Sequence, residues 1–193
     1  MVKLAIVSFL AAVSMTVATA KAETVQFEGL QFETPNDMPR FDGGPRPDAP
    51  FLRFRRGAAT DPQFDVIEVM STPASALAGR LSPENFAEFS LRPASMFCGE
   101  HQVLRNETRT IEGAIIVDVG YLCLHHSRSP ELSRQIVRNI AVFHDDQMTM
   151  LQFVRRWRNA PHPDDQLTPE AWISPTDAFA ASITRCGEDC LNR

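Results

Sequence analysis

Three runs of Val, Ile, Leu and Phe dominate the middle of the chain. They cover residues 113–125, 135–144 and 148–155, and the polar residues 145–147 between the last two have the length of a hairpin connection. Neighbouring positions are often both apolar, which is typical of strands that are covered on both faces. The pattern predicts three consecutive antiparallel strands at the centre of a sheet.

Shorter alternations of apolar and polar residues precede this region. Residues 25–34 change phase at Gly29, which predicts a strand pair or a bulged strand. Residues 51–56 and 64–70 predict two short strands. Residues 102–111 predict a polar strand that pairs with the first of the central three.

Helix start signals occur in two places before the central strands. Thr72-Pro73 and Ser82-Pro83 each combine an N-cap residue with proline at the first helical position. They predict short helices over residues 74–80 and 85–89, with Phe86 and Phe89 on one face. We expect Pro93 to end this helical stretch.

A final helix is predicted after the central strands. Ser174 is the expected cap, followed by Pro175, and Asp177 is expected to bond back to the cap. Phe179 and Ile183 fall on one face of this helix and should pack on the sheet. Two proline-rich stretches, residues 35–50 and 159–169, predict long loops.

These elements predict an α+β fold with a central antiparallel sheet of about six strands and helices packed on it. The segment Phe32-Glu33-Thr34-Pro35 at a strand end, followed by a loop, a hairpin, helices, a three-strand meander and a closing helix, resembles the PsbP-like fold group. The resemblance implies an antiparallel sheet between helices. It also implies a binding or assembly protein without enzymatic activity, as most members are, but it transfers no functional residue.

The N-terminus has the pattern of a secretory signal peptide. Lys3 forms a short basic region, residues 4–17 are almost entirely apolar, and small residues follow before Glu23. The apolar run is shorter than the roughly 20 residues of a membrane span, although a retained membrane anchor is the alternative. We therefore expect a signal over residues 1–22, export to the periplasm or beyond the cell, a single domain over residues 23–193, and no stable membrane insertion.

Charge restricts the class of partner. The formal net charge of −5 becomes −7 when the only two lysines, Lys3 and Lys21, are removed with the signal. Nucleic acid binding depends on clustered cations that neutralise phosphates, so the acidic balance argues against it. The use of arginine without lysine is also what a genome rich in G and C would produce.

Cysteine usage agrees with export. Cys98, Cys123, Cys186 and Cys190 all follow the signal, and an even number in an exported chain favours disulfides. Cys186 and Cys190 are close enough to form a small loop, which leaves Cys98 to pair with Cys123. A zinc site of four thiolates is the alternative, but the spacing lacks two Cys-x-x-Cys pairs.

Candidate catalytic residues are few, and no cofactor is expected. His125, His126 and His144 would be the residues of a small periplasmic hydrolase or a metal-handling protein, which is the alternative function. Adjacent side chains in a strand point to opposite faces, however, so His125 and His126 are not expected to share one metal. The sequence has no Gly-x-Ser-x-Gly nucleophile motif.

Two arginine clusters are the strongest candidates for a partner-binding surface, here another envelope or exported protein. Arginine binds carboxylates through two parallel hydrogen bonds and stacks on indole. The alternative is a set of solvated strand ends paired with Asp and Glu. The predicted contact residues are Arg53, Arg55, Arg56, Arg155, Arg156, Trp157 and Arg158.

Overall fold

The computed structural model describes residues 22–41, 50–77, 80–124, 127, 132–158 and 173–186. Several predicted features lie outside these ranges. They are nearly all of the signal, residues 42–49 of the first proline-rich loop, the whole second loop, His125, His126 and Cys190.

Within the described ranges, nine strands form two antiparallel sheets. Their bounds are β1 Thr24–Phe27, β2 Leu30–Glu33, β3 Phe51–Arg56, β4 Gln63–Pro73, β5 His101–Ile111, β6 Ala114–Cys123, β7 Leu132–His144, β8 Gln147–Arg158 and β9 Thr184–Arg185. The larger sheet has the order β3-β4-β8-β7-β6-β5, and the smaller one the order β1-β2-β9. The predicted α+β class and the six-stranded antiparallel sheet are confirmed.

The large sheet is covered differently on its two faces. The helices are α1 Ala74–Leu77, α2 Phe86–Phe97 and α3 Asp177–Ala181, with a 3-10 turn at Ser174–Thr176. One face, the α3 face, packs its apolar side chains against β2 and α3, and this core includes Phe32, Ile140 and Phe179. On the other face, the α2 face, Phe86 of α2 packs against β6 and β7.

Helix α2 is longer than predicted, because Pro93 lies inside it and does not end it. Pro93 has no N–H group to donate to the carbonyl of Phe89, and both residues lie on the exposed side of the helix. The prediction that Phe86 and Phe89 share a face is also wrong. The buried residues are Phe86, Ser90 and Ala94, four apart, whereas Phe89 is 53% exposed.

The start of α3 also differs from the prediction. Ser174 lies within the 3-10 turn, and neither the turn nor α3 has a side-chain cap. The Thr176 hydroxyl donates to the carbonyl of Ile173 at 2.6 Å, and Asp177 accepts a hydrogen bond from Arg138 at 2.6 Å. A buried guanidinium group therefore takes the carboxylate that was expected to complete a capping box. Burial of Phe179 and Ile183 against the sheet is confirmed.

One glycine allows the segment before α3 to approach β6. A Cβ atom on Gly120 would lie 2.2 Å from Cδ1 of Ile173, which is 2% exposed. Any side chain at position 120 would push Ile173 away from the sheet. The glycine therefore lets the segment that carries Thr176 and Asp177 lie close to Arg138.

The disulfide between Cys98 and Cys123 is confirmed, with a Cα–Cα distance of 5.5 Å. It joins the residue after α2 to the last residue of β6. Cys186 is also disulfide-bonded, while its predicted partner Cys190 is outside the described residues. Among the described residues, no helix has both the length and the apolar character needed to cross a membrane.

Candidate functional site

Strand alternation divides the seven predicted contact residues between the two faces of the sheet. Arg56, Arg155 and Trp157 belong to the α3 face. Because successive side chains of a strand point to opposite faces, the remaining four residues belong to the α2 face. They are Arg53, Arg55, Arg156 and Arg158. The structure therefore does not form one cluster from them.

The arginines of the α3 face bind a buried carboxylate. Asp65 is 1% exposed and accepts hydrogen bonds from Nε of Arg155 at 2.8 Å and from Nη2 of Arg155 at 3.0 Å. Arg56 pairs with the same carboxylate from the other side. Trp157 is 6% exposed, and its indole N–H donates to Oε1 of Gln63 at 3.1 Å. These contacts hold the ends of β3, β4 and β8 together.

A second internal ion network lies deeper on the α3 face. Arg138 is 2% exposed and donates to the two carboxylate oxygens of Asp118 at 2.9 and 2.6 Å. It also donates to Thr176 and Asp177, each at 2.6 Å. Burial opposes the charge of Arg138, but its hydrogen bonds and attraction to Asp118 and Asp177 outweigh burial and raise its pKa. This network attaches α3 to the sheet.

Among the described residues, the α2 face is only partly covered over β3, β4 and β8. Helix α1 contacts β4 and β8, and α2 lies over β6 with buried side chains that reach β7, so many side chains of β3, β4 and β8 on this side remain half-buried. We call this surface the open face. Its central residues are Arg53, Arg55, Val66, Glu68, Gln152 and Arg156.

The open face is arranged in rows across the strands. Phe51, Met70 and Met150 are successive partners in one half-buried apolar row. The next row is polar: Arg53 pairs with Glu68 at 2.6 Å, and Gln152 donates to Oδ1 of Asn139 at 2.7 Å.

Arg156 lies at the far end of this face and is half-buried. Its Nε donates to Oε1 of Gln135 at 3.0 Å, and its guanidinium carbon is 5.7 Å from the centroid of the Phe64 ring. Burial lowers the pKa of Arg156, an effect that attraction to Glu68 and Tyr121 partly offsets. Tyr121, two strands away on the same face, is 4% exposed, and burial raises the pKa of its hydroxyl to about 12.

Arg55 is the second cation at this end of the open face. Its guanidinium carbon is 4.1 Å from the centroid of the Phe41 ring. Within the described ranges, neither Arg55 nor Arg156 has a carboxylate partner within salt-bridge distance. From strand spacing and register, their Cα atoms are about 12 Å apart, with Val66 and Phe64 between them. Such a pair can bind two anionic groups of one surface.

The histidine candidates do not come together among the described residues. His144 is 4% exposed, with Nδ1 3.5 Å from Asp145 and Nε2 3.3 Å from the amide nitrogen of Gln147. His101 aligns across the sheet with Gln135, nine residues from His144 along β7, or about 30 Å. No group of three or more potential metal ligands occurs in the part of the chain that the structure describes.

Sequence comparison finds no relative, since no family model and no curated protein matches the chain. Structural comparison does find similar folds. The Ran-binding protein Mog1p of Saccharomyces cerevisiae matches with a TM-score of 0.55 and 10% identity, over 89% of this chain and 99% of Mog1p. A mutant of Mog1 gives a TM-score of 0.56, with 10% identity over 88% and 98% of the two chains. The chain has the Mog1/PsbP-like fold.

The predicted resemblance to the PsbP-like fold group is thereby confirmed at the level of fold. The cyanobacterial PsbP of Synechocystis sp. PCC 6803 is also similar, with a TM-score of 0.48 and 15% identity over 89% of this chain and 96% of that protein.

Several polar residues of the α2 face were missed in the sequence. Asn139 and Gln152 lie inside the apolar runs that predicted strands covered on both faces, and Glu68 lies in residues 64–70, which predicted only a short strand. A signal for a solvent-facing side was available in the alternation of β3, where Arg53 and Arg55 are polar at every second position. Glu68 in β4 is a further polar residue on that side. Asp65 was missed as the partner of Arg56 and Arg155 because register cannot be derived from one strand alone.

Proposed function

We propose that this chain is an exported binding or accessory protein without enzymatic activity, which acts in the periplasm through protein–protein contacts. The process is envelope assembly or the neutralisation of a toxin. The contact surface is the open face. The observation that carries the proposal is the pair Arg55 and Arg156, two half-buried guanidinium groups without a carboxylate partner among the described residues.

The chemistry of the open face favours a protein partner with carboxylates next to apolar side chains. Arginine is enriched among residues that dominate binding energy, particularly where its stem and its aromatic neighbours are already desolvated. Arg156 and Arg55 meet this condition through Phe64 and Phe41. The apolar row of Phe51, Met70 and Met150 supplies area that a partner would bury.

The rest of the predicted contact set has two roles in this proposal. Arg53 and Arg158 belong to the same face as Arg55 and Arg156 and extend the contact. Arg56, Arg155 and Trp157 support the face from the opposite side through Asp65 and Gln63.

Export and a binding role each have separate support. The N-terminal pattern of residues 1–22 and the Cys98–Cys123 disulfide favour an oxidising compartment outside the cytoplasm. Mog1p, which has the same fold, is described as a Ran-binding protein. A fold used elsewhere for binding a protein is consistent with the class proposed for this chain.

Partner capture from the periplasm tests the proposal. The tagged chain is expressed with its own N-terminal segment, cross-linked in cells and purified with its partners. The comparison uses an Arg55→Ser/Arg156→Ser variant and a matched control, Arg80→Ser/Arg92→Ser, which removes the same charge from exposed arginines near or on α2. We expect the first variant to lose a specific protein that the control retains.

Capture of the same proteins by both variants would refute the role of the open face. Absence of the chain from the periplasmic fraction would refute export. Replacement of His125, His126 and His144 by glutamine should leave capture intact. Loss of function in that variant while its fold is preserved would favour the histidine-based alternative instead.

A further inference from the structure

Strand β5 forms one edge of the large sheet and pairs only with β6. Its eleven residues are mostly exposed, and no backbone hydrogen bond joins its outer edge to another segment of the described chain. A long free edge is a template for pairing with another strand, and proteins usually protect such edges. The only irregularity in β5 is the register shift between Val103 and Arg105. Among the described residues, no segment pairs with the outer edge of residues 105–111, which continues without a further register shift.

Exposed apolar side chains lie on α2 and on β5. The large hydrophobic residues that are exposed in the described part of the chain are Phe89, Met96 and Val103, at 53%, 59% and 44%. Phe89 and Met96 are seven residues apart in α2 and so share one flank. The other flank, with Ala87 and Leu91, packs into the core that contains Met148 and Met150 of β8.

Phe89 and Met96 lie on the flank of α2 opposite Ala87 and Leu91. Val103 of β5 pairs with Tyr121, whose side chain packs against α2. Of the three exposed apolar residues, Val103 thus lies in the free edge itself, on the α2 face of the sheet.

The sequence of this edge is complementary to itself. In an antiparallel pair centred on Thr108, Glu107 lies opposite Arg109 of the second copy, and the reverse contact repeats by symmetry. Within one chain, Glu107 also pairs with Arg105 at 3.1 Å, and Arg109 donates to the carbonyl of Ala180 at 3.1 Å. Asn106 then lies opposite Thr110. Centring the pair on Glu107 would place like charges opposite each other. If the pair were centred on Asn106, the paired residues would include the register shift between Val103 and Arg105, where the strand is irregular.

We propose that the chain forms a two-fold symmetric dimer in which two β5 strands pair antiparallel about Thr108. The two six-stranded sheets then form one sheet of twelve strands. Each α2 lies over β6, so the two helices are three strand spacings apart, about 14 Å. This exceeds the usual distance of about 8–10 Å between packed helices, so the strand pairing and not helix packing holds the dimer together.

Charge exchange at the edge tests the pairing. The purified, folded chain is examined by analytical ultracentrifugation as wild type, as Glu107→Arg and as Arg109→Glu. Each single variant places like charges opposite each other twice, so we expect roughly a tenfold or greater rise in the dimer dissociation constant. An equimolar mixture of the two variants restores opposite charges at both positions and should form a heterodimer.

A cysteine cross-link provides a second measurement that does not depend on the charge variants. Thr108→Cys places two thiols directly opposite each other at the centre, within the Cα separation that a disulfide spans. Mild oxidation should convert it to a covalent dimer. The control Thr110→Cys lies opposite Asn106 and should cross-link at least tenfold more slowly.

Each outcome decides the proposal. A wild-type chain that remains monomeric to high micromolar concentration overturns it, as does a dimer that both charge variants retain. Equal rates of cross-linking at positions 108 and 110 would contradict the register centred on Thr108. A monomer whose β5 amides become protected only when a captured partner is added would assign the edge to an extended segment of that partner instead of a second copy.

Discussion

Arg155 and Arg156 are consecutive in β8, but Arg155 binds the buried carboxylate of Asp65 on one face of the sheet and Arg156 contacts Gln135 on the other. The residues therefore have separable roles. Arg155 contributes to the fold, and Arg156 is one of the residues that we propose contact a partner. Substituting both together would mix a loss of stability with a loss of binding.

We expect Arg155→Ser to lower the free energy of unfolding by about 1–3 kcal/mol, because Asp65 loses two charged hydrogen bonds while only 1% exposed. Arg156→Ser serves as the control and should cost less, since its hydrogen bond is to a neutral amide. Urea denaturation followed by circular dichroism measures both. An unchanged midpoint for Arg155→Ser would contradict the assigned role.

The order of the strands was predictable because apolar runs and their hairpin connections are local signals. The central meander, the β1–β2 pair and the polar strand β5 all follow from them. Helix α2 was predicted too short because proline is unfavourable in a helix, although at Pro93 the exposed side of the helix tolerates it. Which side of the helix is exposed depends on tertiary packing, and the local sequence around Pro93 does not specify it.

The candidate site was only partly predictable for a similar reason. Arginines at strand ends were visible, but the partner of each depends on register between strands distant in sequence. Asp65 is 90 residues from Arg155, and Asp118 is 20 residues from Arg138. The apolar runs that contain Asn139 and Gln152 predicted strands covered on both faces. In the structure α2 covers only part of the sheet, and the open face remains half-exposed.

The buried pair of Arg138 and Asp118 should show strong coupling. Arg138→Met leaves the carboxylate of Asp118 buried without its main partner, so we expect a loss of about 3–5 kcal/mol. The double variant Arg138→Met/Asp118→Leu removes both charges and should recover part of that loss. A double-mutant cycle by urea denaturation measures the coupling, and strictly additive losses would contradict it.

Tyr121 should make the protein less stable in alkali. Its pKa is about 12 in the folded chain against 10.0 as reference, so between these pH values the unfolded chain releases the proton while the folded chain retains it. Stability therefore falls as pH rises through this window, by about 2–3 kcal/mol in all.

Tyr121 is the only tyrosine in the chain, so the ultraviolet absorbance of tyrosinate reports its titration directly. Tyr121→Phe keeps the ring and should be less sensitive to alkali between pH 10 and 12. A normal titration near the reference value in the folded protein would show that the hydroxyl is not buried as described.

The Cys98–Cys123 disulfide closes a loop with a sequence separation of 25 residues. We expect the Cys98→Ser/Cys123→Ser variant to lose about 3 kcal/mol of stability, because the unfolded chain regains the freedom that the cross-link removes. Mass spectrometry of unreduced peptides should identify the bond in the wild type. Free thiols at both positions, or zinc bound in stoichiometric amount, would contradict it.

The affinity of a captured partner for the Arg55→Ser/Arg156→Ser variant, measured by titration calorimetry, tests the central claim most directly. The matched variant is Arg80→Ser/Arg92→Ser, with the fold of each checked by circular dichroism. Because truncated interface arginines commonly cost about 2 kcal/mol or more, we predict that the open-face variant loses at least about thirtyfold in affinity while the control binds as the wild type does. Equal affinity in all three proteins, or an equal loss in both variants, would contradict the assignment of the open face as the contact surface.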